Sequence, residues 1–202
     1  SLHAKGVLIL SSYLKAKFGR DKPLHFSASL AFEQNYGGVE GDSATMAELA
    51  ALISAITELP IRQDLGITGS MNQMGEIQPI GGVNAKIEGF FAACQLKGMT
   101  GQQGVIIPEQ NIRHLMLRPE IIEAVAQGNF KIYAVHHAHQ ALELLLSKPM
   151  GEPNEQGKYA KDTIMGLVLA QLKHWHDIEK GDKPKKKKSK KSKKKNEAVV
   201  QA

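Results

Sequence analysis

Two short glycine-rich blocks contain the residues of this sequence that are best suited to chemistry. They are Gly37-Gly-Val-Glu-Gly-Asp-Ser43-Ala44 and Gly81-Gly-Val-Asn-Ala-Lys86, and each precedes an apolar run typical of a helix. Ser43 and Lys86 are therefore predicted at or just inside helix N-termini. The positive end of a helix favours an oxyanion formed beside it and disfavours a nearby ammonium. Ser43 is thus a candidate nucleophile, and a neutral Lys86 is a candidate base.

The run that follows Ser43, residues 44–56, predicts a buried helix because Glu48 is its only charged residue. Asp42 or Ser43 is the expected N-cap, and Thr45 with Glu48 forms an overlapping capping-box pattern. Moving a lysine pKa from about 10.4 to about 7 takes roughly 4.6 kcal/mol. A helix dipole contributes roughly 0.3–1 kcal/mol. Burial must therefore supply most of any shift at Lys86.

Several motifs around these blocks occur in one order. They are Tyr36-Gly-Gly-Val-Glu-Gly-Asp-Ser-Ala44, Leu59-Pro-Ile-Arg-Gln-Asp-Leu-Gly-Ile-Thr-Gly-Ser70, Gly75-Glu-Ile-Gln78 and Gly81-Gly-Val-Asn-Ala-Lys-Ile-Glu-Gly-Phe-Phe91. Together they resemble the proteolytic domain of Lon proteases, specifically the B-type branch, and the resemblance extends from about residue 3 to residue 146. It implies an α+β fold in which mixed sheets pack with helices.

The resemblance also implies roles for individual residues. Ser43 corresponds to the nucleophile and Lys86 to the general base of a Ser-Lys dyad, and Thr68 to a threonine whose hydroxyl helps to hold the lysine. Glu40 and Asp42 match acidic positions beside the serine. In B-type relatives such groups can pair with the lysine in resting forms, and the same pairing here would keep Lys86 charged.

Composition indicates one globular domain with appendages. The 202 residues can bury one sizeable core, and a single cysteine excludes an intrachain disulfide and fits a reducing compartment. The chain starts with Ser and shows no signal-peptide pattern or long apolar span. We therefore expect a cytoplasmic fragment of a longer soluble protein. Ten of the 26 basic residues lie within residues 183–195, so the net charge of +6 does not describe the body.

Hydrophobic periodicity predicts alternating helices and strands. Helices are expected around residues 7–18, 44–56, 86–96, 119–126 and 138–146. Strands are expected at 24–32, at 65–71, which would place Thr68 on a strand, in a short partner ending at 79–80, and at 104–108 and 130–135. A turn is expected around Asn111 and Ile112.

The C-terminal part divides by composition. Residues 1–147 are predicted to form the domain and 148–158, rich in Pro and Gly, a linker. Residues 159–180 are predicted to form an extra helix, with Ile164, Leu167, Val168, Leu172 and Trp175 on one face, that packs on the domain or on a neighbouring subunit. The Lys-rich tail, 181–202, has few apolar residues and repels itself, so disorder is expected there.

Other site types are less consistent with the sequence. Ser12-Tyr-Leu-Lys15 matches a penicillin-recognition pattern but lacks the partner motifs, and no phosphate-binding Gly-x-x-x-x-Gly-Lys-Ser/Thr occurs. His136, His137 and His139, or His174 and His176, lack further ligands at zinc-site spacing. We therefore expect no metal and no cofactor in this chain.

The leading hypothesis is a Lon-like serine endopeptidase domain that degrades unfolded or damaged proteins. By resemblance, six copies form a ring, and ATP and Mg²⁺ belong to an ATPase module outside this chain. The alternative is a non-catalytic Lon-like oligomerisation domain that contacts nucleic acid through residues 183–195, since such a charge density favours weak, salt-sensitive phosphate binding. No membrane association is expected.

Overall fold

The computed structural model describes residues 2–19, 23–24, 26–33, 37 and 41–181. Its helices are α1 (Leu2–Phe18), α2 (Thr45–Thr57), α3 (Val83–Lys97), α4 (Pro119–Ala126), α5 (Ala138–Leu146) and α6 (Ile164–Glu179), and a 3-10 helix spans Glu109–His114. Its strands are β1 (Leu65–Ile67), β2 (Ser70–Met71), β3 (Ile77–Gln78), β4 (Gly104–Pro108) and β5 (Lys131–Val135).

The strands form two small sheets. The larger sheet is parallel, in the order β1-β4-β5, and β2 pairs with β3 in an antiparallel hairpin. Parallel neighbours need crossover connections, and here α3 lies between β1 and β4 while α4 lies between β4 and β5. This mixture of helices with parallel and antiparallel strands confirms the predicted α+β Lon-type fold class.

The central strand β4 is buried on both faces and separates two hydrophobic cores. Ile106 faces one core, built from α1, α2, α5 and α6, while Val105 and Ile107 face the other, built from α3 and α4 with Phe130. Successive strand side chains point to opposite faces, so one short apolar strand serves both layers. The end of β4 is therefore held in place by both cores, and the segments that leave the sheet beside it start from a fixed position.

The predicted strand at 24–32 is wrong: none of the described residues between 23 and 33 belongs to a strand. The alternation still has a structural counterpart, because Leu24, Phe26, Leu30 and Phe32 line a groove of about 430 Å³ against α1 and α2. Alternation indicates which side chains share a face. It does not supply the partner backbone that a sheet requires.

The predicted strand at 65–71 is two strands in different sheets. β1 ends at Ile67 and pairs with β4, whereas β2 begins at Ser70 and pairs with β3. Thr68 lies between them, so its predicted placement on a strand is wrong by one residue. Its N–H still donates to the carbonyl of Ile106, at 3.1 Å, and this bond holds Thr68 at the end of the parallel sheet.

Helix boundaries differ most at the starts of α1 and α6, and α1 begins five residues before the expected residue 7. Helix α6 begins at Ile164 instead of residue 159, because Thr163 is its N-cap and accepts from the Gly166 N–H at 3.1 Å. The Ala160 carbonyl crosses this first turn so closely that a Cβ at Gly166 would lie 2.0 Å from its oxygen. Thr163 itself has an extended backbone, with φ −93° and ψ 160°, so the helix does not continue into residues 159–163. The predicted disorder of the tail concerns residues 181–202, of which 182–202 lie outside the described residues.

Helix α6 packs into the same core as α2 and α5. Ile164, Met165 and Val168 are buried there, while Leu172 and Trp175 are partly buried against it. The segment before α6 is also attached, since the Ile164 and Met165 N–H groups donate to the carbonyls of Pro149 and Met150 at 3.0 Å. The division into domain, linker and helix remains a prediction.

Candidate functional site

The turn that carries Ser43 is held from both sides by backbone bonds. The Gly69 N–H donates to the Ser43 carbonyl at 2.9 Å, and the Met46 N–H donates to the Gly69 carbonyl at 3.2 Å. On the other side, the Thr45 hydroxyl and N–H both donate to the Asp42 carbonyl, at 2.6 and 3.1 Å. The position of Ser43 is thus tied to the segment that immediately follows β1.

Helix α2 begins slightly later than predicted. Its N-cap is Ala44, with no side-chain capping bond, so neither Asp42 nor Ser43 is the cap, and no Thr45–Glu48 capping box forms. The reason lies in the hydrogen bonds of the turn, where the Asp42 carbonyl replaces a capping side chain. As a result, the Ser43 hydroxyl is not bonded to the helix and can contact another side chain.

That side chain is Lys86. Helix α3 begins at Val83, three residues earlier than predicted, so Lys86 lies in its first turn and its N–H donates to the Gly82 carbonyl at 3.1 Å. The Lys86 Nζ donates to the Ser43 Oγ at 2.8 Å and to the Thr68 Oγ1 at 3.1 Å. The three predicted site residues, from three separate segments, therefore meet at one amine.

The electrostatic setting of Lys86 favours its neutral form. Burial lowers the pKa of the Lys86 amine below its ordinary value of 10.5. The side chain nevertheless remains exposed in the single chain. Desolvation of the amine is consequently incomplete, and coverage of the site by apolar groups would lower the Lys86 pKa further.

Acidic groups near the serine do not pair with Lys86 among the described residues. The Asp42 carboxylate lies 3.4 Å from the Lys5 Nζ of α1, with which it forms an ion pair. Glu40 lies outside the described residues. A base requires an unpaired amine, so the Asp42–Lys5 contact is compatible with an active arrangement.

Two supporting residues were missed from the sequence. Gly69 forms hydrogen bonds with the Ser43 turn through its backbone N–H and carbonyl groups, so its residue type does not indicate the contact. Asn111 is only 2% exposed, and its side chain pairs with the backbone of Ile80 just before the second glycine block. Its signal was weak: Asn111 is a polar residue three positions after a buried apolar strand, and a polar side chain that becomes buried needs partners.

The histidines have local contacts. The His137 side chain caps α5, where its Nδ1 accepts from the His139 N–H at 3.2 Å, and the two rings pack edge to face. Within the described part of the chain, no three His, Cys, Asp or Glu side chains are grouped so that they could hold a metal ion. Over the same residues, no helix combines the length and apolar character needed to cross a bilayer.

Comparison with known proteins gives a consistent family. The model of the Lon protease (S16) C-terminal proteolytic domain matches residues 10–148. A Lon protease homolog of Escherichia coli K12 is 52% identical over 147 residues, which are 73% of this chain and 25% of that protein. A homolog of the same description from Haemophilus influenzae is 41% identical over 180 residues, covering 89% of this chain and 30% of the relative.

The similarity extends to archaea. An archaeal Lon protease of Pyrococcus abyssi is 37% identical over 142 residues, which are 70% of this chain and 13% of that protein. The chain thus spans less than a third of the length of each of these relatives. The resemblance inferred from the ordered motifs is confirmed: this chain belongs to the family of Lon protease (S16) C-terminal proteolytic domains.

Proposed function

We propose that this chain is a serine endopeptidase domain in which Ser43 and Lys86 form a catalytic dyad supported by Thr68. The observation that carries the proposal is the 2.8 Å hydrogen bond from the Lys86 Nζ to the Ser43 Oγ, with the Thr68 hydroxyl as the second acceptor. A nucleophile in contact with a base that a third group orients is the arrangement used in covalent acyl transfer.

In the proposed mechanism, the neutral Lys86 amine takes the proton of the Ser43 hydroxyl while the Ser43 Oγ bonds to the carbonyl carbon of the substrate peptide. The N–H groups of Thr45 and Met46 already have partners, so the amides of Ser43 and Ala44 are the proposed donors to the oxyanion. Collapse of the intermediate breaks the C–N bond, and Lys86 returns the proton to the leaving amine. Water then hydrolyses the serine ester by the same proton route.

Substrates and partners follow from the family. The proposed substrates are unfolded or damaged proteins, and the proposed assembly is a cytoplasmic hexameric ring. Because the chain spans a minor part of its relatives, ATP and Mg²⁺ are assigned to an ATPase module outside it, and the chain itself needs no cofactor. Coverage of the exposed Lys86 by substrate or by a neighbouring subunit would complete the desolvation that general-base catalysis requires.

The test measures fluorophosphonate labelling of Ser43 together with cleavage of a short unstructured peptide. Wild type should be labelled, with a rate that rises with pH as Lys86 deprotonates, and ATP should have no effect. Ser43→Ala and Lys86→Arg should each lose both activities, since guanidinium stays protonated. Lys97→Arg, in the last turn of the same helix, is the matched control and should resemble wild type. Labelling of Lys86→Arg at the wild-type rate would refute the dyad.

The second candidate is a non-catalytic oligomerisation domain that contacts nucleic acid. It is favoured only by the ten basic residues at 183–195, because the body before them holds sixteen basic and nineteen acidic residues. Lack of Ser43 labelling, together with salt-sensitive nucleic-acid binding, would favour this candidate over the peptidase.

A further inference from the structure

Asn111 forms a two-bond clamp on the backbone of Ile80. Its Oδ1 accepts from the Ile80 N–H at 3.0 Å, and its Nδ2 donates to the Ile80 carbonyl at 2.9 Å. The amide group therefore pairs with Ile80 as a neighbouring strand would, although the two residues lie 31 positions apart. Asn111 is 2% exposed and lies in the 3-10 helix directly after β4. The clamp is thus fixed to the central strand of the sheet.

The segment that follows Ile80 needs such a clamp. Gly81 and Gly82 connect Ile80 to α3, and Gly82 has a left-handed φ of 68°. A Cβ at either glycine would meet nothing within 4 Å, so neighbouring side chains do not confine this turn. Glycine is also the least restricted residue. The position of Lys86 therefore depends on two things: the packing of Val83 and Ile87 of α3 in the core, and the way Ile80 is held before the turn.

The same strand also positions the group that Lys86 contacts. The Thr68 N–H donates to the carbonyl of Ile106 in β4, at 3.1 Å. Consequently β4 holds Thr68 directly, and holds the segment before Lys86 through Asn111. The Lys86 Nζ and the Thr68 Oγ1 lie 3.1 Å apart, and both of their segments connect to this one strand.

A second amide supports α3 from its other side. The Asn84 Nδ2 donates to the His114 carbonyl at 2.9 Å, and its Oδ1 accepts from the Met116 N–H at 2.9 Å. This pairing joins the first turn of α3 to the last residue of the 3-10 helix that contains Asn111 and to the chain just after it. Asn84 is less buried than Asn111, so its removal should disturb the fold less.

We propose that Asn111, assisted by Asn84, is a positioning residue for the catalytic lysine: it fixes the Gly81-Gly82 turn so that the Lys86 amine reaches both Ser43 and Thr68. This inference rests on the proposed function. Without the clamp, α3 can shift relative to β4, and the amine moves away from the two hydroxyls towards solvent. The rate of proton removal from Ser43 then falls, and the Lys86 pKa rises towards its ordinary value.

The test measures the rate constant of fluorophosphonate labelling at Ser43 across pH, for variants whose folded fraction is known from urea unfolding. Asn111→Ala should label at least about tenfold more slowly than wild type, since small misplacements of catalytic groups have such effects. The midpoint of the rise with pH should also move upward. Asn84→Ala should show the same two changes to a smaller extent.

Asn154→Ala is the matched control, because the Asn154 Oδ1 also fixes a loop by accepting from two backbone N–H groups, those of Gln156 and Lys158. It should label as wild type does. If Asn111→Ala and Asn84→Ala label at the wild-type rate per folded molecule with an unchanged pH profile, the clamp is only structural and the inference is refuted. If Asn111→Ala does not fold, Asn84→Ala alone decides by the same criteria.

The proposed function is tested separately within the same experiment. Wild-type labelling that fails, or that persists in Lys86→Arg, refutes the dyad and with it the role of Asn111. Labelling that requires Lys86 but is unaffected in both asparagine variants refutes only the positioning role.

Discussion

Replacing Thr68 by Val is the most informative single change at the proposed dyad. Val is nearly isosteric and suits the half-buried position after β1, so the fold should persist. The substitution removes the acceptor that lies 3.1 Å from the Lys86 Nζ and leaves the 2.8 Å bond to Ser43. Its effect on the reaction can therefore be assigned to one hydrogen bond.

Two consequences of that loss act in opposite directions. One net hydrogen bond is worth about 1 kcal/mol, so poorer alignment of the amine should lower the rate about fivefold. An acceptor also stabilises an ammonium by about 1 kcal/mol more than a neutral amine, so its loss should lower the Lys86 pKa by about 0.7 unit. Well below the pKa, this shift makes the neutral amine about fivefold more abundant, which offsets the loss of alignment.

The expected result is therefore a pH-dependent ratio. Thr68→Val should show a kcat/KM for peptide cleavage close to that of wild type at the acidic end and about fivefold lower at the alkaline plateau. Thr100→Val, which changes an exposed loop threonine bonded to Gln103, is the control and should match wild type throughout. A Thr68→Val ratio that stays constant across pH, or a plateau equal to that of wild type, would refute the assignment of Thr68.

Three further predictions concern stability and the tail. The free energy of unfolding should fall as pH drops from 6.5 towards about 4, because burial lowers the pKa of His139 to about 4 and the unfolded chain takes up a proton that the folded chain excludes. The urea midpoints at pH 7 and pH 5 should therefore differ less in His139→Gln than in wild type. An equal difference in the two proteins would contradict this prediction. Phe130→Ala should lower the free energy of unfolding by about 3–5 kcal/mol, since Phe130 is 1% exposed, whereas Leu96→Ala, at 91% exposed, should change it by less than about 0.5 kcal/mol. Truncation after Asp182 should preserve peptide cleavage and remove any salt-sensitive nucleic-acid binding, measured at two salt concentrations; unchanged affinity would place the binding surface on the body.

Local patterns predicted most helices and the parallel strands β4 and β5 well. Apolar periodicity located α2, α3, α4 and α5 to within a few residues, because a helix that packs against a core must repeat its apolar side chains along the chain. Burial of β4 on both faces makes it continuously apolar, which is why residues 104–108 were recognised as a short buried strand. Chain segments with such one-dimensional patterns can be predicted without knowledge of their neighbours.

Pairing partners were not predictable in the same way. The alternation at 24–32 resembles that of a strand, but none of its described residues belongs to one. Thr68 falls between two strands because the chain leaves one sheet for another there. Both outcomes depend on segments far along the sequence, and residue types at the site itself do not encode them.

The sequence by itself determined the family, the fold class and the identity of Ser43, Lys86 and Thr68 as candidates, because ordered motifs preserve residue types. Only the tertiary structure decided that their side chains meet, since a 2.8 Å contact between positions 43 and 86 depends on how α2, α3 and β4 pack. It also decided that Asp42 pairs with Lys5 and that Asn111 holds the turn before Lys86. These contacts join segments that are distant in the sequence. They depend on hydrogen-bond geometry in the folded chain, and spacing along the chain does not define them.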